Sequence, residues 1–264
     1  MKVFFTCGRL KPLFLIVIIL LLTVGISSNV NATDYYSRAT GNWNNRMTWS
    51  LTSGGAAVPN GSFPASGPGA GDNVYIEVGT VTMTSNPTIS LLTIEGGTLR
   101  LTNTTTNRTL TVSGNVSIIS GTISLTNSSG DGTLNVAGNF SATGGTLTTT
   151  GGGGGAGFVV FNKSGTQTYT SGTTITNTNF TVNSGSILQM AAPATVVTGT
   201  SFTLSSGATL GVTSAAGITT AGATGNIQTT TRTYAAGANY IYNGSANQAV
   251  GNGLTQNTPA NLTI

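Results

Sequence analysis

From Thr109 onward, apolar and polar residues alternate in short runs punctuated by glycine and asparagine: TLTV (109–112), VSI (116–118), TISL (122–125), TLNV (133–136). A period of two buries every second side chain of a strand and leaves the others facing solvent. Threonine and valine suit that half-buried, pleated setting, and the glycines and asparagines between runs supply the positive φ values of tight turns. No window after residue 32 pairs a 3.6-residue apolar period with helix-forming neighbours. The pattern predicts an all-β chain of short strands and many turns.

The runs also repeat. Residues 109–124 align without gaps on 133–148, with eight identities in sixteen at an offset of 24, and 179–188 align on 201–210, with five identities in ten at an offset of 22. LTIEGGTL (92–99) has the same form. Periods of this size, each with one or two short strands, mark a parallel β-helix, or β-solenoid, whose coils bury an inward face only by stacking. Stacking is expected to set Leu110 over Leu134 and Val112 over Val136, and to place Phe180, Val182, Phe202 and Leu204 in the same core. Residues 73–264 are long enough for about nine coils of roughly 22 residues. Asn115 and Asn139, in register, are expected to form an amide-to-amide ladder. A longer echo, FNKSGTQT (161–168) with YNGSANQA (242–249) and NFTV (179–182) with NLTI (261–264), has an offset near 81 and leaves open a string of antiparallel sandwiches of that size.

Three segments stand apart. Residues 1–32 join a cationic start, an apolar run from Leu13 to Ile26 and a short polar end with Val30 and Ala32 at −3 and −1. This is the layout of a secretory signal cleaved after Ala32, and the apolar run falls short of the ~20 residues of a spanning helix. Residues 33–72 carry both tryptophans, Trp43 and Trp49, and the Pro/Gly-rich stretch 58–72. They are expected to cap the solenoid with the two indoles as its plug, or to offer an exposed pair to sugar rings. The sequence stops inside the strand-like NLTI, which suggests a fragment with an uncapped edge.

Charge narrows the chemistry. Nine Lys and Arg face five Asp and Glu, but Lys2, Arg9 and Lys11 fall in the leader, leaving six against five. No basic patch for nucleic acid or anionic lipid is expected. Cys7 lies ahead of the apolar run and there is no histidine, so the mature chain has no means for thiol catalysis, zinc fingers or histidine acid–base work. No cofactor, metal or membrane span is expected in it. Its acids are Asp34, Asp72, Glu77, Glu95 and Asp131. Glu77 and Glu95 follow similar strands at an offset of 18, close in sequence to Arg100, so that stacked coils could let them share a proton or cation. Asp131 and the Gly151–Gly155 run read as turn and loop. The threonine runs 166–170 and 229–233 raise ice binding, against which the unequal offsets of 18, 22 and 24 argue.

Gly41, Trp43, Thr48-Trp49-Ser50 and Gly71-Asp72-Asn73-Val74-Tyr75-Ile76 fit a loose cap pattern, G-x-W-x-x-x-x-T-W-S followed by P-x-x-G-D-x-V-x-I. In this the chain resembles the N-terminal part of large repetitive surface or secreted proteins of bacteria that use the type IX secretion system. The resemblance implies an adhesin-like or matrix role, with surface glycans or other cell-surface proteins as partners, and assigns no catalytic residue. The expected function is a non-catalytic extracellular scaffold. A carbohydrate-binding or polysaccharide-degrading β-helix and an ice- or surface-binding solenoid are the alternatives, with Trp43, Trp49, Glu77 and Glu95 as candidate ligand contacts.

Overall fold

The computed structural model describes residues 32–150, 152–254 and 259–264. Residues 1–31, on which the expected leader and Cys7 fall, and Gly151 of the glycine run lie outside them. Residues 32–264 form one compact unit, built of three sheets of eleven, six and seven strands. The chain visits the sheets in turn: Leu91–Ile94 in the first, Thr98–Thr102 in the second, Arg108–Val112 in the third, then Val116–Ile118 back in the first. Among the described residues every strand-to-strand pairing between coils is parallel, as a solenoid of local crossovers requires and a sandwich does not. Nine parallel strands of the first sheet fall between Asn73 and Thr263, as the repeat length predicts.

Register follows the repeats. Leu110 sits on Leu134 and Val112 on Val136, while Phe180 sits on Phe202 and Val182 on Leu204; all eight are fully buried. At mid-stack the core widens into rings: Phe140 stacks on Tyr169 (5.3 Å, 7°) and Phe161 on Phe180 (6.4 Å, 9°), the two stacks meeting edge to face. Edge-to-face contact directs the positive rim of one ring at the negative face of the next.

Corners are where the sequence is most constrained. Gly121 and Gly145 turn successive coils from the first sheet into the second at φ +73° and +70°. A Cβ on Gly145 would lie 2.5 Å from the Gly121 carbonyl oxygen, so both backbone shape and close coil approach demand glycine. Asn115 and Asn139 do stack, but not amide to amide as expected. The Oδ1 of Asn115 accepts from the backbone N–H of Asn139 (2.9 Å), and that of Asn139 from the N–H of Thr168 (2.9 Å). At a corner the peptide N–H of the next coil has no strand carbonyl opposite it, and the side chain takes that place. Asn107, Asp131 and Ala156 form a second ladder of this kind, which makes Asp131 a turn residue.

The echo at 81 is also a corner. Gln167 accepts from the Lys163 N–H and donates to the carbonyls of Val136 and Gly138. Gln248 accepts from the Gly244 N–H and donates to Val212 and Ser214. The first copy leaves the third sheet after Phe161, the second leaves the first sheet after Tyr242. One glutamine-stitched corner is thus used at two corners of the prism, and no 80-residue module repeats.

Strands of the second sheet end at Thr174–Thr176, whereas the other two sheets continue. In place of later second-sheet strands run loops held by Asn226. This residue is fully buried; its Oδ1 accepts from the N–H groups of Thr213 and Ser214 (2.8 Å each) and its Nδ2 donates to Thr195 O (2.8 Å). At the other end the boundary expected between residues 72 and 73 does not divide the sheets. Asp34–Ser37 and Gly41–Asn42 pair in parallel with Asn73–Ile76 and Thr80–Thr82, so residues 33–72 are at once cap and first coil. The backbone N–H of Thr33 points to Oδ1 of the buried Asp72 (3.3 Å), whose Oδ2 accepts from the Gly69 N–H (2.8 Å).

Candidate functional site

Trp43 and Trp49 plug the cap. They meet edge to face at 5.2 Å, and both are wholly inaccessible. Each indole N–H is satisfied inside, Trp49 by the Trp43 carbonyl (2.7 Å) and Trp43 by the Pro68 carbonyl (3.1 Å). Gly67 lies against Trp43 so closely that a Cβ there would sit 2.5 Å from its Cδ1. Tyr35 and Phe63 extend the cluster. A ring with no exposed face cannot stack on a sugar, so the alternative of an exposed sugar-binding pair is corrected: the indoles are core because the cap must cover the open end of the stack.

The candidate carboxylates follow neighbouring strands. Ile76 pairs with Ile94, so Glu77 and Glu95 each follow a paired position in adjacent coils. Glu77 accepts from the Gly54 N–H (3.3 Å), while Glu95 is exposed. Arg100 does not join them. It lies on the outer face of the second sheet between Thr82 and Ser124, its buried Nε without a partner.

What lies beside the two glutamates was not anticipated: Tyr36 and Tyr75, stacked at 4.6 Å and 10° on the outer face of the first sheet. Below them Asn73 donates to Asp34 (2.8 Å). Burial raises both phenols above their ordinary range, and nearby carboxylates add to the effect, Asp34, Glu77 and Glu95 for Tyr36 and Asp34 and Glu95 for Tyr75. The signal available in the sequence was DYYS (34–37) over NVYI (73–76). It was hidden because the two strands are 39 residues apart, across the irregular cap.

Chemically this patch offers hydroxyls and carboxylate acceptors on an open surface. Among the described residues no cluster of three or more Asp, Glu, His or Cys is placed to hold a metal. Three concavities of roughly 400–610 Å³ line the stack, and none of the three is lined by an acid or a cation. No helix of the described residues is long and apolar enough to cross a membrane. No protein-family model, curated protein or solved structure matches the chain.

Proposed function

We propose that this chain is a non-catalytic extracellular scaffold, an adhesin-like solenoid exported by its leader with cleavage after Ala32. The observation that carries the reading is the unbroken parallel stack of the first sheet, ten strands long from Asp34–Ser37 to Asn261–Thr263, paired with acids that line none of the three concavities described above. Such a stack extends in one dimension and presents long faces to a partner. The resemblance to repetitive type IX-secreted surface proteins supports the same role, with surface glycans or cell-surface proteins as partners. Small-angle scattering of the mature chain is expected to give an elongated particle, and a panel of polysaccharides is expected to remain uncleaved. Turnover abolished by Glu77→Gln or Glu95→Gln would refute the scaffold reading.

A second reading, glycan contact, is favoured by the Tyr36–Tyr75 stack with its flanking carboxylates. Tyrosine combines an apolar ring with a hydrogen-bonding tip at small entropic cost. Tyr36→Ala should then abolish any glycan-array signal while the melting temperature holds.

A further inference from the structure

The outer face of the second sheet carries an order that the repeats alone do not reveal. Thr80, Thr98, Thr122, Thr146 and Thr174 stand directly above one another in five consecutive coils. Two residues on, Thr82, Arg100, Ser124, Thr148 and Thr176 form a parallel column. Between the columns Val81, Leu99, Ile123, Leu147 and Ile175 point inward and are buried. Thr40 begins the first column one coil earlier, its hydroxyl accepting from the Thr80 N–H (3.1 Å). Spacings of 18, 24, 24 and 28 residues separate successive threonines of the first column, yet the register holds because the extra residues lie outside these strands.

Composition does not explain the array. The outward positions of the first sheet at comparable levels are Tyr36, Tyr75, Thr93, Ser117 and Ser141, and in the third sheet Asn135, Phe158 and Val160 interrupt the threonines Thr109, Thr111, Thr133, Thr181 and Thr203. A second observation is independent of the pattern. The hydroxyls of Thr98, Thr122, Thr146 and Thr174 bond to no group of the described protein, whereas the corner threonines Thr102 and Thr126 bond backbone carbonyls (2.8 and 3.2 Å). In the second column Thr148 and Thr176 bond each other (2.8 Å) and Ser124 is buried, so it is the first column that keeps its hydroxyls for what lies outside.

We propose that this face binds ice, anchoring an ordered layer of water on its two columns of hydroxyl and methyl groups. Strand geometry sets the columns about 6.7 Å apart and the coils about 4.8 Å apart, a two-dimensional repeat of the scale on which oxygen atoms recur in an ice surface. Threonine is stiff at χ1, so its hydroxyl is held in place before the lattice arrives and little entropy is lost on contact. The face has no carboxylate and a single cation, Arg100, which suits a neutral lattice and mismatches a polyanion. It has no aromatic ring for a crystalline polysaccharide. Arg100 and the buried Ser124 interrupt the threonines of the second column.

The purified mature chain should shape ice crystals and inhibit ice recrystallisation. Thr122→Tyr and, separately, Thr146→Tyr should each cut thermal hysteresis severalfold. Thr203→Tyr, on the outer face of the third sheet, should leave it unchanged, and Arg100→Thr should increase it. Melting curves of each variant show whether the fold is kept. Absence of ice shaping by the wild-type chain overturns the proposal, as does equal loss from the Thr122 and Thr203 variants. Binding to crystalline cellulose that Thr122→Tyr removes, without any effect on ice, would overturn it in favour of a polysaccharide. The scaffold reading is judged separately by scattering and the polysaccharide panel.

Discussion

Asn226 is the residue on which the irregular coils depend. It fills the place of missing second-sheet hydrogen bonds with one side chain, so Asn226→Ala removes the partner of the buried Thr213 N–H, the half-buried Ser214 N–H and the Thr195 carbonyl. Each orphaned group costs about 1–3 kcal/mol, and a fall of several kcal/mol in unfolding free energy is expected by denaturant titration. Tyrosines set the alkaline limit. Burial, aided by Tyr242, pushes the Tyr240 phenol up to about 12, and burial raises Tyr169 and Tyr234 as well, against about 10 in the unfolded chain. The fold keeps them neutral, so their contribution is complete below pH ~10 and is lost as the pH rises through the folded values. Unfolding free energy followed from pH 9 to 12 is expected to be level at first and then to fall. At this scale the core was legible, because period-two alternation marks Leu110, Val112, Leu134 and Val136 whatever their neighbours do. Asn226 was not, since nothing local distinguishes a stitching asparagine from a turn asparagine.

Among elements, strands and corners divide the labour. Strands tolerate exchange of one β-branched or aliphatic residue for another, whereas corners do not, because coil-to-coil approach there is backbone on backbone. Gly145→Ala places a Cβ against the Gly121 carbonyl at positive φ. It is expected to cost about 1–3 kcal/mol and to speed hydrogen exchange at the Thr146 N–H, which bonds the Gly121 carbonyl (2.8 Å). The sequence displayed these corners as Gly-Asn and Gly-Thr repeats, but not which carbonyl each would meet. The Gln167 and Gln248 corner was visible as an echo and invited the wrong unit, because a motif moved from one corner of a prism to the next looks, in one dimension, like a long repeat. Unequal coil lengths concealed the threonine columns for the converse reason: length varies in loops, while register is set by hydrogen bonds in the sheets.

Over the whole molecule, stability is a sum of coil-to-coil interfaces, so damage should stay near its source. Leu134→Asp puts an unpaired charge in the core at a cost of several kcal/mol, and exchange protection should fall first in the strands around 110, 134 and 159, which stack there. The cap end carries a different consequence. Thr33, the residue that follows the proposed cleavage point, aims its nitrogen at Asp72, 39 residues away. Cleavage after Ala32, as proposed, would turn that nitrogen from an amide into an ammonium, and its bond to the carboxylate into an ion pair worth about 1 kcal/mol more. On the proposed processing, the cut would fasten the first coil to the second as well as remove the leader. A chain beginning at Thr33 is expected to melt at a higher temperature than one that retains the leader or carries an acetylated Thr33. That margin should vanish in Asp72→Asn and as the pH rises past the α-amine's ordinary value of about 8, tying the firmness of the closed end to passage through the signal peptidase.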